Sequence, residues 1–203
     1  MKIIAIGRNY AEHIQELNNE RPSEPVVFMK PDSAILRNND PLYYPDFTKD
    51  IHYEVEILLR ISQAGKYIQE EFAHKYYDAI GIGIDFTARD LQQKAKEKGL
   101  PWLLAKGFNG SAPISEFMPK EQFPDLQNLN FSLEVDGELK QQGNTKMMLF
   151  PFNYLIAYVS QFITLKKGDI LFTGTPKGVG PIQPGNTLVA YIEDQKLLTC
   201  EIK

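Results

Sequence analysis

Apolar residues recur along this chain in two patterns, one typical of β-strands and one typical of amphipathic helices. Short runs rich in β-branched and aromatic residues predict strands at 2–6, 26–30, 51–61, 80–86, 129–139, 169–173, 187–193 and 196–202. Longer mixed segments predict helices at 9–19, 70–79, 87–98 and 152–163. No repeat or low-complexity linker divides the chain. We therefore expect one β-rich α+β domain over residues 1–203.

Turn and cap residues mark the ends of several predicted elements. The segment Val135-Asp-Gly-Glu138 and the segment 192–196 are typical of tight hairpin turns. The helix predicted at 87–98 has Thr87 as its expected N-cap and a lysine-rich last turn. Gly99 follows as its expected stop signal.

The predicted strand 51–61 carries two glutamates, Glu54 and Glu56, within an otherwise apolar run. Because side chains of a strand alternate between its two faces, both carboxylates point to one face, and Val55 and Ile57 point to the other. Two unpaired anions side by side in a low dielectric cost several kcal/mol. Either one carboxyl takes up a proton or a cation lies between them, and a divalent metal ion would meet this need.

A third carboxylate, Asp85, ends the Ile- and Gly-rich strand 80–86 and leads into the helix at 87–98. Taken alone, Asp85 fits a helix-capping role as well as a functional one. Together with Glu54 and Glu56 it forms an all-oxygen set, which suits Mg²⁺ or Mn²⁺ and does not favour zinc.

Composition narrows the kinds of partner to expect. The net charge of −4 and the absence of a dense basic block argue against nucleic acid and anionic membrane surfaces. No apolar stretch is long enough to span a bilayer, and Lys2 leads directly into an apolar strand, so we expect a cytoplasmic protein without a signal peptide. The single cysteine, Cys200, excludes internal disulfides and is expected to be a packing residue.

Six motifs occur in order along the chain. They are Gly7-Arg-Asn-Tyr10 followed by His13, Phe28-Met-Lys-Pro31, His52-Tyr-Glu-Val-Glu56, Asp85-Phe-Thr-Ala-Arg-Asp-Leu-Gln92, Pro101-Trp-Leu-Leu-Ala-Lys106 and Thr173-Gly-Thr-Pro-Lys-Gly-Val-Gly180. In this order and spacing they resemble the fumarylacetoacetate hydrolase family, in particular its short acylpyruvase/oxaloacetate decarboxylase branch. The resemblance covers nearly the whole chain. It implies a mixed β-roll fold, a homodimer, and a Mg²⁺ site, with Mn²⁺ as the alternative, formed by Glu54, Glu56 and Asp85.

The resemblance also implies a mobile lid within residues 1–24. His13 and Glu16 are three residues apart on a predicted helix and so share one face. Spacing alone favours a surface pair. In similar enzymes such a pair belongs to a lid that orders over the substrate, which would make His13 the general base that activates water. Glu16 would then hold its tautomer and stabilise its charge.

Five further side chains or backbone groups are expected near the substrate by resemblance. Lys106 lies in an apolar segment that would also suit a snorkelling surface lysine, and the resemblance places it beside the metal as a donor to the substrate's oxyanion. Gln92, Thr175 and Gly174 are expected to bind the substrate, the last two from a Gly-rich loop that would otherwise be a simple turn. Lys30 is expected to add positive potential.

Other polar residues of these motifs are expected to have structural roles. We expect Arg8 to support the hinge of the lid. Arg89 and Asp90 are expected to form pairs within the start of the helix at 87–98, and Trp102 to lie in the core or at an interface.

The predicted function is a Mg²⁺-dependent hydrolase or lyase that acts on 2-oxo acids. It would cleave the C3–C4 bond of acylpyruvates such as fumarylpyruvate or acetylpyruvate, or decarboxylate oxaloacetate, through a pyruvate enolate stabilised by the metal. The alternative is an isomerase or tautomerase of 2-hydroxy-dienedioates or of oxaloacetate at the same metal site. A non-catalytic 2-oxo-acid-binding protein would be expected to lack His13, Lys106 or a carboxylate, and all of these are present.

Overall fold

Fifteen strands and four α-helices form in the part of the chain that the computed structural model describes, residues 1–16 and 20–203. The strands are β1 (Ile3–Gly7), β2 (Val26–Lys30), β3 (Ile35–Leu36), β4 (Ile51–Tyr53), β5 (Val55–Ile61), β6 (Tyr77–Ile84), β7 (Thr87–Ala88), β8 (Ala112–Pro113), β9 (Met118–Pro119), β10 (Asn130–Val135), β11 (Glu138–Asn144), β12 (Ile170–Phe172), β13 (Gly180–Pro181), β14 (Thr187–Ile192) and β15 (Gln195–Glu201). The helices are α1 (Ala11–Glu16), α2 (Arg89–Lys98), α3 (Leu103–Lys106) and α4 (Phe152–Phe162).

These strands are divided among several β-sheets. The largest has six strands in the order β2-β1-β12-β5-β6-β9, of which only β1 and β12 run parallel to each other. An antiparallel sheet has the order β11-β10-β14-β15, a three-stranded sheet the order β13-β4-β7, and β3 pairs with β8. This mixture of sheets and helices confirms the predicted α+β class with mixed β-sheet in one domain.

Strand β5 lies inside the six-stranded sheet and is covered on both faces. Val55 and Ile57 pack into the larger hydrophobic core, whereas Leu58 packs into a second core with Ile3 and Phe172. The alternation follows from the period of two along a strand, and burial on both faces explains the nearly continuous apolar run. Glu56 therefore points to the same side of the sheet as Leu58, away from Val55 and Ile57.

The structure corrects four predicted boundaries. Residues predicted as one strand at 51–61 form β4 and β5, with a break at Glu54. The prediction at 129–139 is a hairpin of β10 and β11, turning through Asp136 and Gly137 with positive φ angles of 52° and 81°. The helix predicted at 70–79 is a short 3₁₀ segment, because its second half pairs with β5 as the start of β6. The helix predicted at 9–19 is α1, and residues 17–19 lie outside the described part.

One predicted cap is wrong and one is confirmed on helix α2. Ala88 occupies the N-cap position, and the Thr87 hydroxyl instead donates to the Asp85 carbonyl oxygen at 3.3 Å. Gly99 ends the helix in the left-handed conformation with φ of 62°, as a C-terminal glycine should.

None of the helices in the described residues combines the length and the apolar character needed to cross a membrane.

Candidate metal centre

The chain leaves one β-sheet and enters another at the positions of the acidic residues. Strand β4 belongs to the three-stranded sheet and β5 to the six-stranded sheet, so Glu54 occupies the crossing. The antiparallel partner makes the same change between β6 and β7, at Asp85. Because Val55 pairs with Ile84, Glu54 comes opposite Asp85, and the Asp85 N–H donates to the Glu54 carbonyl oxygen at 2.8 Å. Strand register therefore brings the third carboxylate to the first two.

Glu54, Glu56 and Asp85 each present a carboxylate oxygen within 4.8 Å of the other two. Their exposed fractions are only 6%, 2% and 1%. Asp85 Oδ1 is buried, and the Lys30 ammonium lies 2.7 Å away as its ion-pair partner. Three converging, buried carboxylate oxygens are the donor set that hard divalent cations prefer, so the residues fit such a metal.

The two glutamates differ in their electrostatic environment. Burial raises the pKa of Glu56 well above its ordinary value, and the nearby Asp85 charge raises it further. Burial also acts to raise the pKa of Glu54, but Lys106 and Arg89 outweigh it and hold that pKa below its ordinary range. Positive charge is therefore lacking mainly at Glu56.

Lys106 is buried at the centre of the site and does not snorkel to the surface. Its Nζ donates to Glu54 Oε2 at 2.8 Å, to Asp85 Oδ2 at 2.7 Å and to Thr87 Oγ1 at 2.6 Å. Burial acts to lower the pKa of Lys106, but Asp85 and Glu54 overcome this and raise it above its ordinary value. The ammonium therefore stays charged, and it lines the same cavity as the glutamates.

Lys30 is placed differently from the prediction. Its side chain is completely buried, and its Nζ donates to the backbone oxygens of Phe86, Lys106 and Ser111 while pairing with Asp85 Oδ1. It does not line the cavity. Lys30 therefore holds Asp85 and the Lys106 backbone in position from behind, and it is not placed to touch a substrate.

The backbone N–H of Gly174 also has a different partner from the one predicted. It donates to Glu56 Oε2 at 2.6 Å, so it orients a carboxylate of the triad and is not free for a substrate. Gly174 has φ of 105°, and a Cβ there would lie 2.6 Å from the Asn9 Cβ. Only glycine fits this approach without displacement of the loop.

Thr175 lines the cavity, and its support comes from a residue that the sequence did not reveal. Gln141 Nε2 donates to the Thr175 hydroxyl oxygen at 2.9 Å and to the Pro176 carbonyl oxygen at 2.9 Å. Gln141 Oε1 accepts the Val55 N–H at 2.9 Å, which the strand break at Glu54 leaves without a ladder partner. Because its oxygen accepts from Gln141, the Thr175 hydroxyl keeps its own hydrogen for a group in the cavity.

Helix α1 places His13 and Glu16 at the cavity. His13 is 5% exposed, and its Nδ1 lies 3.2 Å from Glu16 Oε2. Glu16 Oε1 accepts the Gly178 N–H at 2.9 Å, which ties the helix to the Gly-rich loop. Burial lowers the pKa of His13 below its ordinary value against the opposing effects of Glu54 and Glu16, so the imidazole is neutral at neutral pH.

Residues 2–203 match the family model for the fumarylacetoacetate (FAA) hydrolase C-terminal domain. The chain belongs to the fumarylacetoacetate hydrolase family. It is an enzyme of that family, and it matches the short branch that the motifs resemble.

The chain is similar to the following three proteins, among others. The Bos taurus protein named oxaloacetate tautomerase FAHD1, mitochondrial, is 44% identical over 190 residues, 94% of this chain and 86% of that one. The Dictyostelium discoideum protein named oxaloacetate decarboxylase, mitochondrial, is 45% identical over 188 residues, 92% of this chain and 86% of that one. Fumarylpyruvate hydrolase from Pseudomonas aeruginosa, solved with Mn²⁺ and pyruvate, is 33% identical and superposes with a TM-score of 0.95 over all of this chain and 89% of that one.

Arg89 belongs to the site, although the sequence predicted only a structural pairing for it at the start of the helix. Its Nη2 donates to Glu54 Oε1 at 2.7 Å, and its Nη1 donates to Gln92 Oε1 at 2.8 Å. Asp90 turns away and accepts from Thr48 Oγ1 at 2.6 Å. In this family member the start of α2 therefore serves the acidic triad. The spacing of Arg89 and Gln92 by three residues, which puts both on one helix face, was the available signal.

Proposed function

We propose that this family member is a Mg²⁺-dependent enzyme that acts on 2-oxo acids through their enolates, with oxaloacetate as the first candidate substrate. The observation that carries the proposal is that Glu54 and Glu56 line one cavity with the Lys106 ammonium and the His13 imidazole, while Asp85 completes the buried carboxylate cluster beside them. The names of the relatives that are 44% and 45% identical support oxaloacetate in particular.

The side chains divide the work as follows. When bound by Glu54, Glu56 and Asp85, the divalent cation would supply Lewis acidity toward the 2-oxo group. Lys106 places a fixed positive charge where the 2-oxygen gains negative charge, and this stabilises the enolate more than the ketone. The Thr175 hydroxyl and the Gln92 amide hold the substrate's C1 carboxylate and carbon chain in place. His13, oriented through Nδ1 by Glu16, exchanges a proton through Nε2.

With oxaloacetate these residues support two outcomes. In tautomerisation a proton leaves C3 for His13 and a proton is added at the 2-oxygen. In decarboxylation the C3–C4 bond breaks, its electron pair stays with C3, carbon dioxide leaves and C3 is then protonated. Both pass through a negative charge shared between C3 and the 2-oxygen, which Lys106 faces.

Hydrolysis of acylpyruvates is the second candidate function. It is supported by the His13–Glu16 pair, which is arranged as a general base with its orienting carboxylate. In this reaction His13 would take a proton from a water molecule that attacks the distal carbonyl, and pyruvate would leave as its enolate. The likeness to fumarylpyruvate hydrolase at 33% identity also favours it.

A side-by-side assay tests the proposal. Oxaloacetate tautomerisation, oxaloacetate decarboxylation and hydrolysis of acetylpyruvate and fumarylpyruvate are measured with Mg²⁺, with Mn²⁺ and with EDTA. We expect turnover of oxaloacetate with Mg²⁺ that EDTA removes. Turnover that survives EDTA, or no turnover of any of these acids with either metal, would contradict the proposal.

The pH dependence of turnover tests the role of His13. A general base acts in its neutral form, so activity is present above the pKa of His13 and is lost as the pH falls through it. Glu16 raises that pKa. We therefore expect Glu16→Gln to move the acidic limb of kcat/KM to lower pH, while kcat falls roughly tenfold because the imidazolium is less stabilised.

Glu12 provides the matched control for this pH experiment. It lies on the same helix and pairs with Lys177 at 3.1 Å. Glu12→Gln should leave the acidic limb in place. An unmoved limb in Glu16→Gln would argue against His13 as the base.

Three further expectations stay predictions. They are the homodimer, the cytoplasmic location and the closing motion of a lid within residues 1–24.

A further inference from the structure

The cavity is lined by more positively charged side chains than form ion pairs with its carboxylates. Arg8 and Lys96 line it together with His13 and Lys106. Among the described residues, no carboxylate lies within ion-pair distance of either side chain. Both are half-buried, so neither is a fully solvated surface cation.

Two of the three carboxylates, Glu54 and Asp85, already have cationic partners without these two. Lys30 pairs with Asp85, Arg89 pairs with Glu54, and Lys106 pairs with both. A divalent cation at the triad would add two more positive charges. A substrate with one carboxylate would leave most of this surplus without a counter-charge, whereas a second carboxylate would reduce it further.

Helix α2 arranges its cavity-facing residues in a line that leads away from the triad. Arg89, Gln92 and Lys96 stand at i, i+3 and i+7 and share one helix face. Arg89 touches Glu54, and a rise of about 1.5 Å per residue puts Lys96 roughly 10 Å further along the axis. A lysine side chain can cover much of that distance, so its ammonium can meet the far end of a short substrate.

Arg8 lines the same cavity and has an uncommon backbone conformation. Its φ is 60°, a left-handed value that non-glycine residues adopt at a cost of about 1 kcal/mol. The next residue, Asn9, is fully buried, and its amide donates to the backbone oxygens of Phe150 and Thr173. Burial lowers the pKa of Lys96 below its ordinary value, and the positive charges of Arg8 and Arg89 lower it further.

We propose, resting on the function proposed above, that Arg8 and Lys96 form a subsite for the second carboxylate of a 2-oxo dicarboxylic acid. The triad end would take the 2-oxo acid head, and this pair would take the distal carboxylate. An anion between the two cations removes their mutual repulsion, which a neutral or methyl end could not do.

The subsite has a consequence for the outcome with oxaloacetate. In decarboxylation the distal carboxylate gives up its negative charge and leaves as neutral carbon dioxide. Cations at that carboxylate stabilise the reactant more than the transition state and so raise this barrier. In tautomerisation the carboxylate keeps its charge throughout. The pair Arg8 and Lys96 therefore favours tautomerisation over decarboxylation.

The experiment compares ligands that differ only in the distal group. Binding of 2-oxoglutarate and of 2-oxopentanoate to the Mg²⁺-loaded enzyme is measured by calorimetry for the wild type, Lys96→Gln, Arg8→Gln and the control Lys94→Gln. Lys94 is exposed on another face of α2. We expect Lys96→Gln and Arg8→Gln to weaken 2-oxoglutarate roughly tenfold, as loss of a charge-assisted contact does, with a far smaller change for 2-oxopentanoate.

Turnover gives a second readout with the same variants. In Lys96→Gln the ratio of decarboxylation to tautomerisation of oxaloacetate should rise, and in Lys94→Gln it should not. Equal effects on the two ligands together with an unchanged ratio would overturn the subsite while leaving the proposed function in place. A wild type that binds neither ligand and turns over no 2-oxo acid would overturn both.

Discussion

Glu56→Gln is expected to make the metal-free protein more stable at neutral pH while removing its activity. The fold raises the pKa of Glu56 above its unfolded value near 4.5, chiefly by burial. The folded state therefore binds the proton of Glu56 more tightly than the unfolded state does. Ionisation of Glu56 then costs stability, and this cost grows as the pH rises from the unfolded pKa toward the folded one. Glutamine has the same shape, stays neutral and can still accept the Gly174 N–H.

The measurement is thermal unfolding of metal-free wild type and Glu56→Gln across mildly acidic to mildly alkaline pH. The gap in Tm should be small at acidic pH and should widen as the pH rises. With Mg²⁺ the order should reverse, because the wild type gains stability from binding the cation and the variant does not. Activity should fall roughly a thousandfold, the scale of losing a preorganised electrostatic contribution.

Glu121→Gln is the matched control, since Glu121 is an exposed glutamate on another part of the surface. It should change neither the pH dependence of Tm nor the turnover. A metal-free Glu56→Gln that is less stable than the wild type at neutral pH would contradict the argument. So would a variant that keeps full Mg²⁺-dependent turnover.

Lys106→Met is expected to have the opposite effect on the metal-free protein. It removes the ammonium that bonds Glu54, Asp85 and Thr87 while keeping most of the buried side-chain volume. Leaving buried charges without their partner costs about 3 kcal/mol of unfolding free energy. A divalent cation between the same carboxylates would replace part of the lost positive charge. Mg²⁺ should therefore raise the stability of the variant by more than that of the wild type.

Urea unfolding with and without Mg²⁺ measures this difference, and turnover should fall by roughly a hundredfold or more because the oxyanion loses its cation. Lys94→Met, an exposed lysine on α2, controls for the loss of a charge and should change neither quantity. A stability gap that Mg²⁺ does not narrow would mean that the cation does not bind between Glu54 and Asp85. Unchanged turnover would remove Lys106 from the proposed mechanism.

Much of the metal centre could be predicted from the sequence because strand periodicity and the residues next to each acid are enough to identify its carboxylates. Glu54 and Glu56 share a face since strands have a period of two, and the apolar run around them predicted burial. Asp85 was found as an acid at a strand end. Its register with Glu54 comes from a single antiparallel pairing between two strands that follow each other along the chain.

The supports of the centre could not be predicted in the same way. Gln141 reaches Val55 across 86 positions of sequence, and Gly174 reaches Glu56 across 118. Lysine is a residue type that usually lies at the surface, yet Lys30 is fully buried and pairs with Asp85. Arg89 fits an ordinary helix start until the fold places Glu54 beside it.

The sequence by itself determined the α+β class, the buried pair Glu54 and Glu56 and the need for either a proton or a cation beside it, because periodicity and residue type act over a few positions. Only the tertiary structure decided how that need is met. Within the described residues it gave Glu54 ion-pair partners in Lys106 and Arg89 and gave Glu56 none, since charge balance in a low dielectric depends on which distant side chains are packed against each carboxylate.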